Sequence, residues 1–482
     1  MHPTLTTPRT PIAAQVNGRA TRQRPRRLSG QALVAPLTWD PIRIALGGLM
    51  LVTISRVHQQ LTFLQVFRPG LLLTAAALGF AVAFPRAINT KELLSTWPVR
   101  RVFALLAIAI IGAPLGLGFR PSLTFLNEVY VPNIVFFALL VVAVRNTGDL
   151  RFLIGSFVAS AAILVYMSLF VFDSRSFYGF ERMASTIMYD ANDLGAVFAA
   201  AIPLGLLIAQ TSTGWVRAIG YVTAAGGPAT IALAGSRGGF LALIATGLGL
   251  LAMMPRATWG RRIGIVLTAV IVMAMVAPEG YLSKMNSIVN PTEDYNLTSQ
   301  TGRVEIWKRG LANLAPRPLT GVGINNFARA QWVNQAYTDD GRPIRAMSSH
   351  NTFLQIGVDL GVPAFLIFVS IILGAIFTLL RMRSRMPLSW LTDSPERRFL
   401  YVSCPYLPVA FFGWASGAFF VSHAYLMPFY CLVAYLAGVL MLYRHEMRGS
   451  RGQAPLGRAR NRFPQGGSSS PASSLTPLEH HR

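Results

Sequence analysis

Between residues 41 and 443 one apolar segment of membrane length follows another, joined by short connectors, and this constrains the chain more than any other feature. A crossing helix needs ~20 mostly apolar residues. Twelve stretches qualify as expected spans: 41–56, 69–85, 101–118, 126–144, 152–172, 193–210, 215–234, 237–254, 262–277, 362–380, 399–421 and 425–443. Pro114, Pro203 and Gly247 interrupt some of them and blur their ends. With 52% hydrophobic and 13% charged residues, the composition excludes a string of soluble domains. The expected fold is an all-α polytopic membrane protein of about twelve transmembrane helices.

The net charge of +24 would suit a nucleic-acid binder, but the basic residues stand where a membrane protein needs them. Arg9, Arg19, Arg22, Arg24, Arg26 and Arg27 precede the first span; Arg444, Arg448, Arg451, Arg458, Arg460 and Arg462 follow the last. Alternate connectors carry Arg86, Lys91, Arg100 and Arg101; Arg145 and Arg151; Arg217; Arg256, Arg261 and Arg262; then Arg381 to Arg398. Acids such as Asp173, Glu181, Asp190, Glu279, Glu293-Asp294 and Asp339-Asp340 fall in the others. The positive-inside rule then puts both tails in the cytoplasm and the long 278–350 loop outside, in a Gram-negative cell the periplasm. Anionic membrane lipids account for the charge without a nucleic-acid partner. The expected organisation is a disordered basic tail 1–39, spans within 40–277, the loop 278–350, a short helix and three spans within 351–443, and a disordered tail 444–482. Residues 1–39 contain no acid, as organellar transit peptides do, but suit an inside-retained bacterial tail better, and no cleaved signal peptide is expected. Cys404 and Cys431 lie in apolar segments and are expected as buried thiols.

A loop of some seventy residues between spans is uncommon unless it folds and works. Within it, Val304, Trp307, Leu311 and Leu314 recur at helical spacing, predicting a helix over 301–315 that ends at Pro316 and Pro318. Gly321-Val322-Gly323 turns the chain toward a second short helix near 325–335. From His350 to Leu380 the apolar run would reach ~45 Å as one helix, more than a hydrocarbon core of ~30 Å. Gly361-Val362-Pro363 is expected to break it, the true span starting at Pro363. Ser349 is the expected N-cap, placing His350 in the first turn, where the helix dipole favours neutral imidazole.

Four side chains stand out for chemistry. His350, at the loop's re-entry, suits a general base; His423 in a tight external turn, His445 in the tail and His58 in a short loop are weaker candidates. Arg237, at the outer end of the eighth span, is an anion clamp, or else a snorkelling arginine or one paired with Glu181; its forked donors match a diphosphate. Arg182 precedes Asp190-Ala191-Asn192-Asp193-Leu194, whose acids are expected to cap the sixth span rather than bind metal. Ser236 lies in Gly235-Ser236-Arg237-Gly238, which lacks the hydrolase elbow. No metal-ligand motif appears.

These pieces together resemble the O-antigen ligase and Wzy-type polymerase superfamily of bacterial membrane glycosyltransferases. The likeness rests on Arg182 with the following Asp-Ala-Asn-Asp-Leu, Ser236-Arg237-Gly238-Gly239, Thr301-Gly302-Arg303-Val304-Glu305-Ile306-Trp307, Gly321-Val322-Gly323, and Ser349-His350-Asn351 leading to Gly357 and Gly361. It covers roughly residues 150–380. The resemblance implies a GT-C-like bundle that takes an undecaprenyl-diphosphate-linked glycan as donor, without metal or cofactor. It also implies that Arg237 and Arg182 hold the donor diphosphate, that His350 is catalytic at the acceptor hydroxyl, and that Arg303 supports them. The implied acceptor is lipid A-core or another glycan or protein. Repeat-unit polymerisation and protein O-glycosylation remain open, as does, outside the enzymes, transport of a lipid-linked sugar.

Overall fold

The computed structural model describes residues 40–452 apart from 173, 178–179, 184–189, 254–258, 291–295, 297–298, 300–301 and 334–345. The expectations for residues 1–39 and 453–482, for Glu293-Asp294 and for Asp339-Asp340 therefore lie outside the described residues, whereas residues 444–452, expected in the disordered tail, continue the last helix.

A helix occupies each of the twelve apolar segments. They are α1 (Pro41–Ser55), α2 (Pro69–Ala83), α3 (Trp97–Gly112), α4 (Phe119–Ala143), α5 (Thr147–Phe170), α6 (Ala191–Thr211), α7 (Gly214–Ala234), α8 (Arg237–Ala252) and α9 (Trp259–Val276). In the loop follow α10 (Tyr281–Asn286), α11 (Arg303–Leu314) and α12 (Phe327–Val333), and then the long helices α13 (Thr352–Arg385), α14 (Pro395–Ala418) and α15 (Met427–Gly452). By length and composition α4, α5, α6, α13, α14 and α15 suffice to cross a membrane, so the chain is a multi-pass membrane protein. Large apolar side chains such as Leu72, Ile111, Phe170, Leu248, Leu373 and Phe377 stand exposed on the bundle, where acyl chains would cover them. One element departs from the expected all-helical plan: β1 (Ser174–Phe177) and β2 (Phe180–Met183) form an antiparallel hairpin.

The two ends of the bundle differ in chemistry. At one end arginines meet carbonyls across helices: Arg151 to Thr211 (3.1 Å), Arg398 to Gln210 (3.4 Å) and Arg444 to Ser95 (3.0 Å). There Arg145, expected as an ordinary connector charge, is buried. Its guanidinium bonds Asp149 at 2.9 and 3.1 Å, Ala87 O at 3.2 Å, and the carboxylate of Asp40, which also N-caps α1. A buried guanidinium survives desolvation only when its donors are met, and here two carboxylates and a carbonyl meet them. The cluster ties the starts of α1 and α5 together.

At the opposite end the loop packs as a folded unit rather than lying free. Ile306, Val322, Phe327, Ala330 and Val358 form a small core of their own. The buried face of α11 is centred on Ile306, Gly310 and Asn313, with the predicted Trp307 and Leu314 packed at its edge and Leu311 exposed. Gly310 sets the centre of that face, because a Cβ there would stand 2.8 Å from the Phe327 ring. A hydrophobic count passes over such a glycine, yet it admits the nearest neighbour.

The expected break in α13 is present, with Gly361 at φ 85° and Pro363 resuming the helix. It frees helical carbonyls, and Val322 and Gly323 donate their N–H groups to Val358 O (2.8 Å) and Asp359 O (2.9 Å). Val362 N in turn donates to Pro318 O at 2.8 Å. The buried Asp359 carboxylate accepts from Asn325 N and Asn326 N, both 3.1 Å, and from the Tyr425 hydroxyl at 3.0 Å. One side chain thus joins the loop, the broken helix and the α14–α15 turn. Asp359→Ala, leaving the buried donors of Asn326 and Tyr425 unmet, should cost more than about 2 kcal/mol. The measurement is thermal unfolding in detergent; an unchanged Tm would show that the joint carries no stability.

Candidate functional site

The end of the bundle that holds the loop also gathers the starts of several helices. Asp190 N-caps α6: its Oδ1 accepts from Asn192 N (2.7 Å) and Asp193 N (2.9 Å), while Asp193 Oδ2 accepts from Asp190 N (2.9 Å). This capping box is the expected role for both acids. Ser236 N-caps α8, accepting from Gly239 N at 3.0 Å and donating to Asn192 Oδ1 at 2.8 Å. The hydroxyl is thus committed to a cap and not poised as a nucleophile. Gly195 and Gly239 allow the two helix starts to touch, since a Cβ on Gly195 would lie 2.5 Å from the Gly239 Cα.

Arg237 is the first residue of α8, where the positive end of the helix dipole opposes a cation. The long loop reaches it: Arg237 Nη1 donates to Ser287 Oγ at 2.7 Å, just beyond α10. Arg303 likewise opens α11. A cation at this position gains nothing from its own helix, whereas an anion placed there meets both the guanidinium and the first-turn N–H groups. Arg182 lies on β2 opposite Arg175, with its side chain outside the described residues, as is that of Glu181. Proximity of Arg182 to Arg237 is therefore not something the geometry supplies.

His350 is not in the first turn of α13. Asn351 is the N-cap, its Oδ1 accepting from Phe353 N (3.0 Å) and Leu354 N (3.1 Å). An amide oxygen of this reach serves two donors at once. Ser349 Oγ, the expected cap, instead donates to Asn351 O at 3.0 Å and pairs with Ser422 Oγ at 2.9 Å. His350 sits one residue before the cap at φ 44°, a left-handed conformation uncommon for histidine. Its N–H donates to Ser422 Oγ (3.0 Å) and its Nε2 lies 3.2 Å from Ser348 Oγ. Trp307 Nε1 donates to Ser349 O at 2.9 Å, tying α11 to the same segment.

The neutrality expected of His350 has a different cause from the one anticipated. Burial first, then the Arg303 guanidinium, hold its imidazole below the ordinary range, while Asp190 and Asp193 pull the other way. Arg303, Asp190, Asp193 and His350 therefore share one electrostatic environment. The α14–α15 turn links it to Arg237. Gly238 lies against the Phe420 side chain, and Ser422, two residues on, bonds His350.

Sequence reading passed over this turn. His423, set aside as a weak candidate, is 1% exposed and places Nε2 2.8 Å from Asp193 Oδ1. Its backbone N–H donates to Thr352 Oγ1 at 2.9 Å, and Thr352 Oγ1 donates to Val421 O at 2.7 Å. The signal was present, as a Ser-His pair between two apolar runs on the face already assigned to His350. What was missing was the pairing of Asp193 with a residue 230 positions away. His58 lies elsewhere, lining a cavity with Gln59, Gln65 and Arg68. Among the described residues, no group of three or more His, Cys, Asp or Glu side chains stands where it would hold a metal ion.

A family model described as O-Antigen ligase (Wzy_C) matches residues 220–369. The match spans Arg237, Arg303 and His350 and leaves Arg182 and His423 outside. Among curated proteins no match to the chain was found.

The backbone at residue 350 can be separated from its imidazole. Asparagine tolerates left-handed φ and β-branched residues do not. His350→Asn should keep the Tm close to wild type, and His350→Val should lower stability by about 1–3 kcal/mol. Equal stability of the two would mean that the φ 44° conformation is not required for folding.

Proposed function

Because residues 220–369 carry the domain of the O-antigen ligase and Wzy superfamily, we propose that the chain is a periplasm-facing glycan ligase. It crosses the inner membrane twelve times with both termini in the cytoplasm. It moves a preassembled glycan from undecaprenyl diphosphate to an acceptor hydroxyl such as that of lipid A-core. The observation that carries the reading is the convergence of Arg237, Arg303 and a half-buried His350 at one end of the bundle, on helix starts joined by the 420–424 turn.

In this reading the donor diphosphate lies against Arg237 and the start of α8, with Arg303 and Arg182 adding positive charge. The acceptor oxygen attacks the anomeric carbon as the bond from that carbon to the diphosphate oxygen breaks. The departing oxygen keeps the electron pair, and guanidiniums stabilise the charge that develops there. His350 takes the hydroxyl proton. A single displacement inverts the anomeric centre. Arginines supply the charge that a metal supplies in other phosphate chemistry, so the scheme needs no metal. Ser422 holds the backbone of His350, and burial first, then Arg303, lower the proton affinity of its imidazole.

The test incubates purified protein with a defined diphosphate-linked glycan and candidate acceptors, without nucleotide or metal. Glycan on lipid A-core supports the ligase; lengthening of the carrier-bound glycan moves the assignment to a polymerase; glycan on a protein acceptor moves it to protein O-glycosylation. No covalent product with any acceptor favours transport. Arg237→Ala and His350→Ala should each lower transfer by more than about a hundredfold, and near-normal turnover in either removes that residue from the mechanism.

The lowered His350 pKa also sets a pH expectation. The folded chain binds this proton less readily than the unfolded one. Its contribution to stability is therefore present above pH ~6.5 and is lost as pH falls toward the lowered folded value. The acid limb of kcat/KM should accordingly lie below pH ~6.5. A limb above that value would contradict a neutral His350.

A further inference from the structure

At the arginine-rich end, opposite the candidate site, a cavity of about 940 Å³ opens between α1, α5, the end of α6 and the start of α7. Its wall changes character with depth. Arg43, Arg151, Thr211, Ser212 and Thr213 belong to the helix ends that form its mouth, and Ile44, Leu51, Ile208, Val216 and Ile219 line it along the helices. On α5 the lining runs from Gly148 to Ala159, a rise of ~16 Å. That is about half of a ~30 Å hydrocarbon core, the depth of one leaflet.

The charge at the mouth has one sign, since two arginines and no acid line the cavity. Arg43 reaches Asp149 only at 3.4 Å, and that fully buried carboxylate is already bonded by Arg145. The Arg43 Nε is without a hydrogen-bond partner, and its guanidinium lies over the Phe152 ring at 5.0 Å. Arg151 bonds the Thr211 carbonyl with one nitrogen (3.1 Å), and the exposed Arg217 bonds the Ser212 carbonyl (3.0 Å). Guanidiniums aligned above an apolar slot one leaflet deep match a phosphate group with an acyl chain beneath it.

We propose that this slot binds one anionic phospholipid of the adjacent leaflet, its phosphate between Arg43 and Arg151 and one acyl chain along α5, between α1 and α7. The chain's own N-terminal segment is a poor occupant, because residues 1–39 carry several arginines and no acid. A zwitterionic lipid brings a second cation to a mouth that already holds arginines, which sets the preference for net negative charge.

Gly155 offers a test that leaves the arginines untouched. A Cβ built there meets nothing within 4 Å and Gly155 lines the slot, so Gly155→Leu puts a side chain into it. The purified full chain in mild detergent is incubated with phosphatidylglycerol, phosphatidylcholine or inorganic phosphate. Thermal unfolding and native mass spectrometry report binding. Phosphatidylglycerol should raise the Tm and persist as a one-to-one adduct, phosphatidylcholine should do so weakly, and phosphate alone should have no effect. Gly155→Leu should lose the adduct while keeping the lipid-free Tm. The double variant Arg43→Gln, Arg151→Gln should bind phosphatidylglycerol about tenfold more weakly and no better than phosphatidylcholine. Equal shifts with the two lipids in the unaltered chain would overturn the proposal. So would an undiminished adduct in the double variant, or a phosphate-only effect matching that of the lipid.

Discussion

The interaction on which the loop-bearing half of the molecule depends is the buried Asp359 carboxylate beside the break at Gly361. A helix that stops hydrogen-bonding itself must find other partners for its freed groups, and here the Gly321-Val322-Gly323 turn supplies them. Asp359 then collects Asn325, Asn326 and Tyr425, so loop, helix and α14–α15 turn share one joint. Positive φ at Gly321 and Gly361 is part of the same requirement. A Cβ at either would stand 2.5 Å from a carbonyl oxygen of the opposing segment, Asp359 O or Leu319 O.

From that joint the placement of His350 follows in short steps. The segment before α13 is held by Trp307 on one side and by Ser422 and the Thr352–Val421 contact on the other. His350 is thereby fixed in a left-handed turn between the loop and the last helical pair. Strain of that kind persists only where the surroundings over-determine it, and the contacts around residues 347–352 do so. The same contacts bury the imidazole and set it near Arg303, which is why its proton affinity is lowered. Backbone geometry and protonation state thus have one origin.

Much of this was legible residue by residue. The apolar runs located every long helix, Pro363 and Gly361 marked the break, and the Asp-Ala-Asn-Asp pattern announced a capping box. Local signals of that sort act over a few residues and survive in any context. The misses were of another kind. Ser349 and Asn351 are both good caps, and only the presence of Ser422 decides between them. The face of α11 is centred on Gly310, with Trp307 and Leu314 at its edge and Leu311 outside it, because Phe327 needs the space at Gly310, a long-range demand. Arg145 looked like an ordinary connector charge until Asp40 and Asp149 closed around it.

The sequence by itself determined that this chain lives in a membrane, where its helices run and break, and which arginines occupy helix starts. Period, punctuation and charge are properties of short stretches of chain, and the insolubility of bare backbone in lipid enforces them. Tertiary structure alone decided that Arg237 touches Ser287, that His423 pairs with Asp193, and that burial first, then Arg303, lower the proton affinity of His350. Those pairs join residues tens to hundreds of positions apart. Which of many polar groups meet across such distances depends on how side-chain volumes fit between helices, and no short stretch of chain encodes that fit.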